Sequence, residues 1–128
     1  MIVSGNPEKT RIVEQRLRNR IIEALEHLAL GDAAVTQTGF AEYFEGCFDF
    51  APYEGQPERN SALSENEVAR FSSILTLMRQ ACGETPSRMP GKDFIHTGWP
   101  TKIAVAASEC LAVFARRGRL SEDVVEMR

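Results

Sequence analysis

Between Arg20 and Arg59 the chain contains no lysine and no arginine, yet the window holds eight acids: Glu23, Glu26, Asp32, Glu42, Glu45, Asp49, Glu54 and Glu58. That is a block of charge −8, and it would repel a phosphate backbone. Cysteine is scarce as well. Cys47, Cys82 and Cys110 are odd in number, widely spaced and without a C-x-x-C pair, which argues against a disulfide framework and against a thiolate zinc site. No G-x-G-x-x-G, Walker or G-x-S-x-G pattern is present to cradle phosphate or raise a serine nucleophile. The Glu-x-x-His pattern of carboxylate metal bundles is missing too. The expectation is therefore a chain without catalysis, cofactor or metal.

Long apolar runs are also absent. The stretch from Ile103 to Ala115 is interrupted by Glu109 and is too short to span a bilayer. At the N-terminus, Ile2 and Val3 run straight into Ser4-Gly5-Asn6-Pro7, unlike the basic start and apolar core of a signal peptide, so a cytoplasmic location is expected. With 128 residues, 43% hydrophobic and 26% charged, the chain fits a single helical domain spanning residues 1–128.

The base-free window contains six of the ten aromatic residues: Phe40, Tyr43, Phe44, Phe48, Phe50 and Tyr53. Outside it, 15 basic residues face 10 acidic ones, so a modest overall charge of −3 conceals a separation of sign along the sequence. Acids interleaved with rigid aromatic contact area are what a basic partner surface would need.

The spacing predicts an all-α bundle of four main helices and a short C-terminal one. Asn6 and Pro7 start the first, which should run to about Leu30 on a stripe of Val13, Leu17, Ile21, Ala24, Leu25 and Leu28, with Gly31 as its stop. Its bases lie at the N-terminal end and its acids at the C-terminal end, the reverse of what the helix dipole favours. A second helix is expected from Gly39 to Phe50, with Phe40, Tyr43, Phe44, Cys47 and Phe48 on one face and Glu42, Glu45 and Asp49 opposite. Ala51 to Leu63 reads as a loop.

Ser64-Glu65-Asn66-Glu67 has the form of a capping box and opens a third helix to Cys82, with Val68, Phe71, Leu75, Met78 and Cys82 as its seam. Gly83 to Trp99 reads as a long loop. Pro100 opens a fourth helix to about Arg117, apolar on nearly every side and so central. Ser121-Glu122-Asp123 is expected to cap the final short helix.

Each candidate site has a plainer alternative. Glu42, Glu45, Asp49, Tyr53 and Glu54 are the candidate partner-binding residues; the alternative is a solvated face opposite a buried aromatic stripe. His96 and Trp99 mark a candidate ligand loop, with His96 as a base, or else a histidine packed on Trp99. His27, four residues after Glu23, suits a surface ion pair. The three cysteines lie on apolar stripes and are expected to be buried and inert.

The basic clusters Lys9 to Arg20 and Arg116-Arg117-Arg119 either meet nucleic acid or pair with the acidic helices of the same chain. An isoelectric point of about 5.4 favours internal pairing. The expected function is a small non-catalytic protein whose acidic aromatic region docks on a basic protein, as an immunity or antitoxin-like inhibitor would. One alternative is a regulatory or nucleic-acid-binding domain acting through Arg11, Arg16, Arg18 and Arg20, with a homodimer through the third helix. The other is an enzyme or ligand-binding bundle centred on His96 and Trp99.

Overall fold

The structure is a computed structural model that describes residues 7–48, 50, 59–86 and 89–126, without the Cys47 side chain. Among the described residues it is all-α, with six helices and no strand: α1 Pro7–Leu28, α2 Asp32–Thr38, α3 Phe40–Phe48, α4 Glu65–Glu84, α5 Gly91–His96 and α6 Trp99–Ala115. Four of these match the expected long helices. Helices α2 and α5 are additions, and the expected C-terminal helix is absent.

Helix α6 is central, as its composition implies, and packs against α1, α2, α4 and α5. Ile103, Ala107, Cys110 and Phe114 lie on its buried side, where the small Ala107 lets a neighbour approach closely. They meet Leu25 and Leu28 of α1 and Phe71, Ile74, Leu75 and Met78 of α4 in one core. The other side of α6 faces solvent, with Val105 57% exposed. Its apolar character there comes from small side chains rather than from a further packing neighbour.

The two short helices have local causes that periodicity could not reveal. Gly31 adopts φ 63° and Gly39 φ 87°, a left-handed backbone that side-chain-bearing residues rarely take, so the glycines bracket α2 and turn the chain at both its ends. Ala34 and Val35 anchor α2 in the core. Helix α5 occupies the expected loop, and its one fully buried side chain is Phe94, with Ile95 packed beside the core. The Phe94 ring lies 5.1 Å from Phe40, 5.5 Å from Tyr43 and 5.4 Å from Phe44. Tilted and edge-on rings at such spacings gain about 0.5–1.5 kcal/mol per pair beyond area burial.

Helix α1 departs most from its expected stripe. Val13 is 49% and Leu17 37% exposed, whereas Gln15, Arg18 and Asn19 are buried. The helix turns a polar face inward, and each polar group there finds a partner. Arg18 donates from Nε and Nη2 to the Glu67 carboxylate at 3.1 and 2.8 Å, from Nη1 to Gly118 O at 2.6 Å and from Nη2 to Phe114 O at 3.2 Å. Its guanidinium also lies 5.1 Å from the centroid of the Phe114 ring.

Glu67 is where the polar network joins. The expected capping box is present: Ser64 Oγ accepts from Glu67 N at 3.2 Å and Glu67 Oε1 accepts from Ser64 N at 3.0 Å. The same carboxylate takes Arg18 from α1 and Arg117 from beyond the end of α6, and Arg117 also donates to Ala62 O at 2.6 Å. These contacts override the unfavourable charge order of α1 against its dipole.

The expected C-terminal helix fails because α1 captures the backbone it would need. Ser121 Oγ does accept from Asp123 N and Val124 N at 3.1 and 3.0 Å, as a cap would. However, Ser121 O and Val124 O both receive Gln15 Nε2 at 2.8 Å, so residues 118–126 lie along α1 as an irregular strap.

Burial alone would raise the pKa of Glu67, but the hydrogen bonds from Arg18, Arg117 and Ser64 outweigh it and hold the carboxyl below its ordinary 4.5. The folded carboxylate thus releases its proton more readily than the unfolded one. Its stabilisation is complete above about pH 4.5 and is lost as pH falls through the lower folded value. Urea midpoints measured against pH should fall steeply in that acid range for the wild type. Glu67→Gln should be weaker at neutral pH, because Arg18 loses its buried counter-charge, and flatter in acid. Parallel curves for the two proteins would contradict this role.

Candidate functional site

Helix α3 separates its side chains as its sequence pattern requires. Tyr43 and Phe44 are buried, Phe40 and Phe48 are half-buried, and Glu42 and Glu45 are exposed. Neither glutamate forms an ion pair or hydrogen bond among the described residues. Asp49, Tyr53 and Glu54, the other expected partner-binding residues, lie outside the described residues.

Beside these acids an apolar groove of about 410 Å³ opens between α3, α4 and the approach to α5. Phe40, Phe44, Phe48, Cys82 and Met89 wall it, with Glu45 on its rim. A second hollow of about 450 Å³ shares Phe48 and Cys82 and continues to Arg79 and Gly83 of α4. Arg79 places its guanidinium 5.6 Å from the Phe48 ring centroid. The groove therefore has aromatic walls, a carboxylate on the α3 side and a guanidinium on the α4 side. It can hold an apolar side chain and orient charge at its edges.

Cys82, Arg79 and Met89 were not legible as site residues. Phe71, Leu75 and Met78 leave two positions one turn on, Ala81 and Cys82, and both satisfy helical spacing. Ala81 takes the buried one, so Cys82 is exposed at the groove, contrary to the expectation that all three thiols are buried. Cys110 meets that expectation: burial, only partly offset by Arg70, pushes its thiol up to about 12. The Cys47 side chain lies outside the described residues.

The ligand loop is organised differently from its expected form. His96 ends α5 and is exposed, while Trp99 is half-buried at the start of α6, with Lys102 Nζ 5.0 Å from its ring centroid. Thr97 shapes the turn between them, donating from Oγ1 to Phe94 O at 2.5 Å and accepting from Trp99 N at 3.2 Å. The expected Glu23–His27 pair is replaced. Glu23 binds Arg20 at 3.2 Å and Arg119 at 2.8 Å, and His27 Nε2 is buried without a hydrogen-bond partner among the described residues.

The basic clusters are largely engaged within the chain. Arg11 donates to Ser61 O at 2.7 Å, Arg16 to Glu122 O at 2.8 Å, Arg20 and Arg119 meet Glu23 and Glu122, and Arg18 and Arg117 meet Glu67. Among the described residues, no group of three or more His, Cys, Asp or Glu side chains could hold a metal ion, and no helix is long and apolar enough to cross a membrane. No family model matches the sequence, and no curated protein or solved structure matches it significantly.

The thiol placement is directly measurable. Site-resolved alkylation of the native protein should modify Cys82 quickly and leave Cys110 unmodified until denaturant is added. Equal native rates at the two would mean that α4 or α6 is rotated from the arrangement described.

Proposed function

We propose that this chain is a non-catalytic, single-domain, cytoplasmic binding protein whose acidic, aromatic α3 region docks on a basic protein. The reading rests on one observation: Glu42 and Glu45 stand exposed, with no ion pair or hydrogen bond among the described residues, on the helix whose other side chains wall the apolar groove. Aromatic walls give an apolar anchor a place to lose water, and the Glu45 carboxylate on the rim, with Glu42 exposed on the same helix, attracts and orients a cationic partner. An inhibitor of a basic enzyme fits this chemistry, its carboxylates standing where substrate phosphates would lie. The engaged state of Arg11, Arg16, Arg18 and Arg20 weighs against the nucleic-acid alternative, because a phosphate backbone would have to compete with internal bonds for each of them.

Capture from the source cell followed by binding kinetics tests the reading. The partner retained should be basic at the contact surface. Glu42→Gln with Glu45→Gln should slow its association roughly tenfold at low ionic strength, flatten the salt dependence and leave dissociation nearly unchanged. The melting temperature should not move, since exposed unpaired charges contribute little to stability. Phe48→Ala should act on dissociation instead. Association at the wild-type rate by the double variant, or a partner with an acidic surface, would reject the proposal.

A further inference from the structure

The strap formed by residues 118–126 is held largely by side chains of one helix, α1, that bond its main chain. Arg11, Gln15 and Asn19 recur every four residues and so share one face of α1. Asn19 forms a two-point pair with Leu120, its Nδ2 donating to Leu120 O at 2.8 Å and its Oδ1 accepting from Leu120 N at 3.1 Å. Gln15 Nε2 donates to Ser121 O and Val124 O, both at 2.8 Å, and its Oε1 accepts from Glu126 N at 2.7 Å. Arg11 Nη2 donates to Glu126 O at 2.8 Å, and Arg16 Nε to Glu122 O at 2.8 Å.

Strap numbers rise as α1 numbers fall, so the segment runs antiparallel to the helix. Carboxamides that present a donor and an acceptor to a peptide unit imitate the edge of a strand. Such a row reads a peptide main chain and not a particular side chain, here a main chain that bends at residues 122–124, where Ser121 Oγ accepts from Asp123 N and Val124 N. Two strap side chains add selectivity. Leu120 is buried, and the Glu122 carboxylate receives Asn19 Nδ2 at 3.0 Å and lies against Arg20 and Arg119.

Arg18 Nη1 also donates to Gly118 O at 2.6 Å and Arg119 meets Glu23 at 2.8 Å, so polar contacts rather than apolar burial retain the segment. Asp123 is exposed and Val124 is 64% exposed, so beyond Leu120 the strap buries little apolar surface. Gly118, at φ 71°, joins it to α6 through a backbone that can turn. A segment with many hydrogen bonds and a small apolar anchor opens at lower free energy than the core beneath it. Once it opens, Gln15 and Asn19 regain solvent and their paired donors and acceptors become free.

We propose that the Arg11, Gln15 and Asn19 row of α1 is a binding site for a short acidic peptide of the pattern Leu-x-Glu that bends as the strap does. The chain's own strap occupies it in cis, and a partner segment of the same chemistry competes for it in trans. The site is separate from the α3 groove and takes a ligand of opposite charge, so it stands independently of the function proposed above.

A fluorescent, C-terminally amidated peptide of residues 118–126 is the probe, titrated with the full-length chain. Saturable binding is expected, and Glu122→Lys in the protein should tighten it about tenfold, because weakening the cis strap raises the fraction of open sites. The same peptide N-methylated at its leucine should lose that binding, since it can no longer donate to Asn19 Oδ1, and the reversed sequence should not bind. Hydrogen exchange on the unmodified chain gives a second reading. The Leu120 and Glu126 amides should exchange well before those of Phe71 and Leu75. No peptide binding by the Glu122→Lys chain, equal binding of the reversed or N-methylated peptide, or strap amides as slow as those of α4 would each overturn the proposal.

Discussion

One carboxylate, Glu67, ties three parts of the chain that are far apart in sequence. It closes the capping box at the start of α4, takes the Arg18 guanidinium from α1 and takes Arg117 from just past α6. Desolvating two charges costs several kcal/mol per ion, so the pair is not a simple source of stability. Its effect is on arrangement. Any rotation of α1 that buried Val13 and Leu17 would carry Arg18 toward solvent and leave Glu67 desolvated with less counter-charge. The observed rotation keeps Arg18 fully buried and leaves the two aliphatic residues at the surface.

The strap and the distribution of charge follow from that rotation. With Arg18 inward, Gln15 and Asn19 face the path of the chain after Gly118, and their amides take up its backbone. Arg20 and Arg119 then close on Glu23 and Glu122. Of the eight acids in the base-free window, Glu23 alone pairs with arginine among the described residues, so the separation of sign along the sequence is only partly offset in space. Glu42 and Glu45, on α3 beside the aromatic groove, have no partner among the described residues.

Local signals were legible in the sequence and tertiary ones were not. The capping box at Ser64 and Glu67, the two-sided α3 and the central α6 each follow from spacing within a single helix. Helix α2 has no signal of its own in the sequence, because Gly31 reads equally well as the end of one helix or the hinge before another. Helix α5 has one fully buried residue, Phe94, too little for any periodicity. Arg18 resembled its arginine neighbours, and its burial depends on a partner 49 positions away. Similarly, nothing near Ser121 shows that Gln15 will take its carbonyl. Of the candidate site, Glu42 and Glu45 could be read from their opposition to the aromatic face. The groove needs α4 and Met89 brought alongside, which only the folded chain supplies.

The central claim is that Arg18 and Glu67 act as one buried unit that sets the position of α1. A double-mutant cycle in chemical denaturation tests it most directly, using Arg18→Met, Glu67→Met and both together. Each single change should cost about 3–5 kcal/mol by stranding a buried charge, and the double change should cost clearly less than the sum of the two. Additive losses, or a loss below about 1 kcal/mol for Arg18→Met, the range of an exposed pair, would contradict the account.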